Sequence, residues 1–233
     1  NKILCGMNPF KFDIKSVYNG SDIFVSGNDS LYQRIPTEIV CEDMVTTAVD
    51  PLTDGRIGEY FRFNLTDVNG NPISNMPMQI GFNGKIYDYE HNNISTDENG
   101  TARLQINLGY KGDYTFAICF LGNEKYNASF TVAKITVNTQ KPVISCSNRY
   151  TFKASAKSKK ISVSLKSARK KPLENKNVKL VLNGKTYSAK TDSNGVATIN
   201  VSLSSRKTYS FTVKYAGDST FSAVTKTGKL IIY

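Results

Sequence analysis

The sequence predicts an all-β chain of tandem immunoglobulin-like β-sandwich domains. Three observations predict it: a duplicated stretch, apolar residues spaced two apart, and turn residues at regular intervals. Residues 61–87 align with 161–187 without a gap at an offset of 100. After five extra residues in the first copy, 96–137 align with 191–232 at an offset of 95. Of those 27 and 42 positions, 7 and 11 are identical, including Pro72 and Pro172, Asn83-Gly84-Lys85 and Asn183-Gly184-Lys185, and Gly122 and Gly217. Two copies of one module account for most of the 233 residues, as a length of roughly 100–150 residues per domain allows.

The elements follow in the same order in both copies. The first strand alternates as Phe61, Phe63, Leu65 and as Ile161, Val163, Leu165. After the turn NGNP (69–72) in the first copy come Met78, Ile80, Phe82, matched by Val178, Leu180, Leu182. An Asn-Gly pair closes this strand into a hairpin in each copy, because Asn and Gly accept the positive φ that two-residue hairpins require. DENG (97–100) and DSNG (192–195) then lead into Leu104, Ile106, Leu108 and into Ile199, Val201, Leu203. The last clear alternations are Tyr114, Phe116, Ile118, Phe120 and Tyr209, Phe211, Val213, Tyr215. Period two sends one side of each strand into a core, and a slip of one residue would expose the whole set. About seven short strands in a module of this length, with no helical periodicity, fit an immunoglobulin-like sandwich. The lack of Trp and of a Cys pair on the expected strands excludes an antibody-type core.

The domain limits follow from the repeat: 36–138 forms the first domain and 139–233 the second. Tyr18-Asn-Gly20-Ser-Asp-Ile-Phe24 repeats the spacing of Phe120-Leu-Gly122-Asn-Glu-Lys-Tyr126 and Tyr215-Ala-Gly217-Asp-Ser-Thr-Phe221. Residues 1–35 are therefore either the trailing strands of a preceding repeat or an N-terminal hairpin.

Composition limits the function classes. A hydrophobic share of 39% and a charged share of 21% describe a folded chain. No apolar run reaches the roughly 18 residues of a membrane span, and a signal peptide's basic and apolar regions are missing. One His in 233 residues leaves little for histidine-centred catalysis or zinc chemistry. Residues 1–140 carry a net charge of −5 and residues 141–233 a net of +16. Such a one-signed field attracts polyanions, or else it is a well-solvated Lys-rich surface.

YAGDSTFSAVTKTGKLII (215–232), FLGNEKYNASFTVAKITV (120–137) and TTAVDPLTDGRIGEYFRFNLTDVNGNPI (46–73) resemble the bacterial-type immunoglobulin-like (Big) tandem repeats of adhesin-like surface proteins from methanogenic archaea. The resemblance covers about residues 36–233 and rests on turns and core strands. It implies a non-enzymatic, extracellular segment at the cell surface or cell wall, mediating attachment to other cells or surfaces. It equally allows a structural stalk or wall-anchoring segment of a larger protein. The implied partner is a partner-cell surface or a cell-wall polymer, glycan or anionic, rather than nucleic acid, with no cofactor and no metal.

Candidate contact residues come from the charge and the insertion. Lys157, Lys159, Lys160, Arg169, Lys170 and Lys171 form the densest basic cluster, a positive tip if the two turns share one end of the sandwich. The five-residue insertion brings Tyr87, Tyr89, His91 and Asn92 into a candidate recognition loop, since loops that depart from a shared scaffold often carry binding. Asn19, Asn28, Asn64, Asn93, Asn127 and Asn200 open sequons that are glycosylation candidates in an exported chain. Asp67-Val-Asn69-Gly-Asn71 has the start of a calcium loop but reads as a surface turn, because the distal Glu is missing. Asp50, Asp54 and Glu59 are acidic residues that could gather a cation. Cys41 and Cys146 each fall in the strand that opens a domain, whereas Cys119 aligns with Lys214, so the cysteines form no disulfide framework common to both copies. Cys5 with Cys41, or Cys41 with Cys119, are the favoured bridges, and an anaerobic exterior leaves all four reduced.

Overall fold

The computed structural model describes residues 34–50 and 53–233, the side chains of Tyr89 and His91 excepted. The N-terminal motif Tyr18–Phe24, the sequons at Asn19 and Asn28, and Cys5 lie outside the described residues. Two compact units are present. The first runs through Val45 and includes Tyr60–Ile106 and Asp113–Thr136; the second comprises Thr46–Glu59, Asn107–Gly112 and Val137–Tyr233.

The first copy of the repeat forms a three-stranded sheet and a five-stranded sheet. The three-stranded sheet has the order β1 (Thr37–Cys41), β3 (Tyr60–Asp67), β6 (Thr101–Gln105). The five-stranded sheet has the order β2 (Met44–Thr47), β8 (Ser129–Asn138), β7 (Gly112–Phe120), β4 (Gln79–Phe82), β5 (Lys85–Tyr87). A four-residue helix, α1 (Tyr89–Asn92), follows β5.

The second copy repeats this pattern. Its three-stranded sheet is β14 (Val196–Asn200), β11 (Lys160–Lys166), β9 (Val143–Ser145). Its five-stranded sheet is β10 (Arg149–Phe152), β16 (Val224–Ile232), β15 (Lys207–Tyr215), β12 (Asn177–Leu182), β13 (Lys185–Lys190). β10 runs parallel to β16, and the other pairings between these strands are antiparallel. Two facing sheets of three and five strands with this order make an immunoglobulin-like β-sandwich.

Alternation places the core where period two requires it. In the second unit Ile161, Val163, Leu165, Ala197 and Ile199 from one sheet meet Val178, Leu180, Phe211, Val213 and Leu230 from the other in one buried cluster. In the first unit Phe61, Phe63, Leu65, Ile80, Phe116 and Ile118 are all buried. There the Phe61 ring meets Phe116 edge-on across the sheets, with centroids 6.2 Å apart.

The identities between the copies have local causes. Asn83 and Gly84 take φ of 49° and 73°, and Asn183 and Gly184 take the same values. Two consecutive positive φ angles define the type I′ hairpin, whose twist matches that of its strands. Thr96 and Thr191 are buried, and each hydroxyl bonds two backbone groups. Thr96 Oγ1 donates to Ile73 O at 2.7 Å and accepts from Met76 N–H at 2.9 Å; Thr191 Oγ1 donates to Leu173 O at 2.6 Å and accepts from Lys176 N–H at 2.8 Å. The following Asp97 and Asp192 each accept two turn N–H groups on Oδ1 at 2.9 Å. Asp67 Oδ1 caps the earlier turn in the same way, accepting from Asn69 and Asn71 N–H at 2.8 and 2.9 Å. Hydrogen bonds from the Asn71 side chain and backbone hold its carboxyl below the usual carboxylate range. Ser167 takes that place in the second copy, accepting from Arg169 and Lys171 N–H at 3.3 Å.

The motif after the last core alternation also repeats. Gly122 and Gly217 have φ of 78° and 81°. Asn123 Oδ1 accepts from Lys125 and Tyr126 N–H, and Asp218 Oδ1 accepts from Thr220 and Phe221 N–H. An incoming segment pairs parallel to each loop, Ile35 with Tyr126 and Gln140 with Phe221. Gln140 is buried within the second unit, and its Nε2 donates to Asp54 Oδ2 at 2.7 Å and to Ala48 O at 3.3 Å.

Candidate interaction surface

The predicted basic tip does not form. Lys157 and Lys160 are exposed where the chain enters β11, whereas Arg169, Lys170 and Lys171 are exposed beyond its other end. Seven residues of strand at about 3.3 Å each separate the two groups by roughly 20 Å. Lys159 is only 5% exposed, and its Nζ donates to Ala154 O at 3.2 Å and Ala156 O at 2.6 Å. Its ammonium caps a loop and does not face solvent, so Lys159 leaves the cluster.

Strand register brings a different basic group together. On the outward face of the second unit's five-stranded sheet, Lys179 of β12 stands directly opposite Lys214 of β15. Ser188 of β13 flanks Lys179 and Thr225 of β16 flanks Lys214, giving a row of hydroxyl, ammonium, ammonium and hydroxyl across four strands. All four residues are exposed. One position further along the same face, Asn177 pairs with Lys190. Lys179 and Lys214 line a shallow depression of about 620 Å³ together with Asn175, Lys176 and Thr225.

This row is electrostatically unbalanced. Directly opposed like charges, with Cβ atoms about 5 Å apart, destabilise a sheet. The second copy has three carboxylates, Glu174, Asp192 and Asp218. Asp218 Oδ2 pairs with the Lys176 ammonium and accepts from the Tyr215 hydroxyl at 2.8 Å. Burial raises the Asp218 carboxyl pKa, but the hydrogen bonds from Lys176, Phe221, Thr220 and Tyr215 outweigh it and hold the group down at about 2. Burial, and then the Asp218 carboxylate, push the Tyr215 phenol well above its ordinary range. Among the described residues neither Lys179 nor Lys214 has an ion-pair partner. An anion lying along the row would relieve their repulsion.

The equivalent positions in the first unit are Gln79 and Cys119, which pair directly across β4 and β7. The basic row therefore belongs to one module. Sequence alignment matches Lys214 to Cys119 and Lys179 to Gln79, but only the register sets the two lysines side by side.

The insertion becomes α1. Where the second copy pairs six residues of β13 with β12, the first pairs only Lys85–Tyr87 before the chain turns into the helix. Tyr87 is half-buried and Asn92 is exposed, while the side chains of Tyr89 and His91 lie outside the description. Ile94, just beyond, is buried and anchors the return of the loop, its carbonyl accepting from Met78 N–H at 3.0 Å.

Asn64, Asn93, Asn127 and Asn200 are all exposed. Two of them already use their amide oxygens: Asn64 Oδ1 accepts from Thr101 Oγ1 at 2.7 Å, and Asn200 Oδ1 accepts from Lys159 N–H at 3.0 Å.

The acidic loop residues are bound to separate partners. Asp50 Oδ2 accepts from Thr53 Oγ1, Asp54 Oδ2 from Gln140 Nε2, and Glu59 Oε2 from Thr46 Oγ1. Among the described residues no three His, Cys, Asp or Glu side chains gather as a metal site.

Both favoured disulfides are overturned. Cys41 is a free, half-buried thiol, whereas Cys119 is disulfide-bonded. Cys41 ends β1 of the three-stranded sheet, while Cys119 lies on the outward side of the opposite sheet. Facing sheets stand about 10 Å apart, beyond the 4.4–6.8 Å Cα separation that a disulfide spans. Burial, and secondarily the Asp43 carboxylate, raise the Cys41 thiol pKa. Cys146 is also free.

No family model matches the sequence, and no curated protein does either. Solved structures are similar in fold. One is a Ca²⁺-stabilized adhesin that helps an Antarctic bacterium bind ice, with 16% identity over 84% of this chain and 50% of that one and a TM-score of 0.30. A second is invasin, a bacterial integrin-binding protein, with 17% identity over 83% and 39% and a TM-score of 0.46. A third is a 1.5-MDa bacterial ice-binding adhesin, with 15% identity over 86% and 66% and a TM-score of 0.34. This chain spans less than two thirds of each of those three structures.

Proposed function

We propose that this chain is a non-enzymatic, extracellular segment of an adhesin-like surface protein. In this reading its two immunoglobulin-like domains, 36–138 and 139–233, are Big-type repeats of the kind found in methanogen adhesins. The second domain favours anionic polymers, of a partner cell or of a cell wall.

The observation that carries the polyanion reading is the Lys179–Lys214 row. It sits on an open sheet face, in a region of net charge +16, with its repulsion uncompensated. A repeating polymer of carboxylates or sulfates spreads charge along a line, as the row does. Lys157, Lys160, Arg169, Lys170 and Lys171 add to the long-range field without forming one site. A disulfide at Cys119 fits an oxidising, extracytoplasmic setting.

The test is retention of the full chain on immobilised heparin, as a defined sulfated polymer, against salt. Lys179→Ser with Lys214→Ser is expected to weaken binding at least tenfold and to flatten its salt dependence. Removing Arg169, Lys170 and Lys171 charges is expected to cost about threefold. Equal losses from the two variants would remove the row as a site. Binding insensitive to salt would leave the stalk or wall-anchoring role as the better reading.

A further inference from the structure

A second like-charged pair lies in the first unit. On the outward face of its three-stranded sheet, Arg62 of β3 stands directly opposite Arg103 of β6. Both are exposed, and among the described residues neither has an ion-pair partner. Tyr60 holds them instead. The Arg103 guanidinium lies over its ring, 4.4 Å from the centroid, and the Arg62 guanidinium is 5.7 Å from the same centroid. Arg62 Nη1 also donates to Tyr60 O at 3.3 Å. A guanidinium stacked on a ring keeps its in-plane N–H groups for another partner. In the second copy the residues paired at these positions are Ser162 and Thr198, and Lys160 stands in the place of Tyr60. The group therefore belongs to the first module as a set.

The surroundings narrow what the pair accepts. The first domain, 36–138, carries 7 Lys and Arg against 13 Asp and Glu, so its field gives no long-range attraction for a polyanion. Beside Arg62, a shallow depression of about 490 Å³ is lined by Val40, Glu42, Asp43 and Asn64. Its two carboxylates repel further negative charge, and they accept hydrogen bonds from hydroxyl groups. Such a place suits an uncharged, hydroxyl-bearing body that brings a single anionic group.

We propose that Arg62, Arg103 and Tyr60 form a carboxylate site on the first domain for an acidic sugar, a uronate within an otherwise uncharged glycan. The planar guanidinium fork matches a carboxylate through two parallel N–H···O bonds. An anion between the two arginines offsets their cross-strand repulsion. The sugar hydroxyls meet Glu42, Asp43 and Asn64 in the depression. This site is separate from the lysine row of the second domain, so either reading can fail without the other.

The test is calorimetric titration with a hyaluronan octasaccharide, which carries one carboxylate per disaccharide and no sulfate. The protein is the unglycosylated full chain bearing Lys179→Ser and Lys214→Ser, which silences the lysine row and isolates the arginines. In that background Arg62→Gln with Arg103→Gln is expected to weaken binding about tenfold or more. Arg62→Lys with Arg103→Lys is expected to lose a similar factor, because an ammonium keeps the charge but lacks the fork. Both side chains are exposed, so thermal midpoints are expected to stay at or above that of the background. Esterifying the octasaccharide carboxylates is expected to abolish binding, a measurement that needs no variant of the arginines. No binding to the background chain, undiminished binding to the Gln or the Lys variant, or equal binding of the esterified sugar overturns the site. A poly-glutamate peptide bound as tightly through the same arginines overturns the assignment to a sugar.

Discussion

At the residue scale, small polar side chains decide where the chain turns. Asp67, Asp97, Asp192 and Asp218 each collect backbone N–H groups, and the first-copy counterpart of Asp218 is Asn123, which makes the same backbone contacts without charge. Asp218→Asn therefore keeps the loop and removes the pairing with Lys176. The native carboxyl is depressed to about 2, against an ordinary 3.8. Its stabilising contribution is thus complete above pH 3.8 and lost as pH falls through 2. The variant is expected to lose about 0.5–1 kcal/mol at pH 7, a modest figure because the pair is partly exposed. By denaturant titration the difference should vanish near pH 2. Gly217 is required for a second reason. With φ of 81°, an added Cβ would stand 2.6 Å from Phe221 O and 2.8 Å from Ala223 N. Gly217→Ala is expected to cost about 2–3 kcal/mol, the upper range for a strained backbone position. Gly184→Ala, where nothing lies within 4 Å of the new atom, should cost about 1 kcal/mol. Thermal melts of the two variants separate conformational strain from collision.

At the element scale, alternation sets which face of a strand is buried, and pairing sets what stands beside it. Leu165 of β11 is fully buried between the sheets, and Leu165→Ala is expected to destabilise by about 2–5 kcal/mol in equilibrium unfolding. The inward residues of β3, β7, β11, β12 and β15 were legible in the sequence, because period two leaves one solution for a strand with a single apolar side. The basic cluster was not. Lys157 and Lys171 look close along the chain, yet a full strand separates them, whereas Lys179 and Lys214, 35 residues apart, are direct neighbours. Lys159 shows the same limit at closer range. Its long stem lets the ammonium turn back onto the Ala154 and Ala156 carbonyls, which no count of charges reveals.

At the scale of the whole molecule, the charge division has a thermodynamic consequence. A polyanion bound to the folded second domain at 100 times its dissociation constant adds about 2.7 kcal/mol. At about 4–8 °C per kcal/mol for a domain of this size, that should raise the midpoint of the responding transition by roughly 10–20 °C. Calorimetry of the full chain with and without heparin checks this, and an unchanged scan would show that the polymer does not bind the folded state. By itself the sequence determined the two modules, the strands that build their cores, the turns between them and the concentration of positive charge in 141–233. Those are properties of local spacing, and hydrophobic alternation and turn stereochemistry act over a few residues. Tertiary structure alone decided that Lys179 faces Lys214, that Lys159 is withdrawn from solvent, and that Cys119 is bonded while Cys41 is free. Each depends on which strands lie side by side and which layer a side chain belongs to. Those relations are set by register and sheet order between residues distant in the chain.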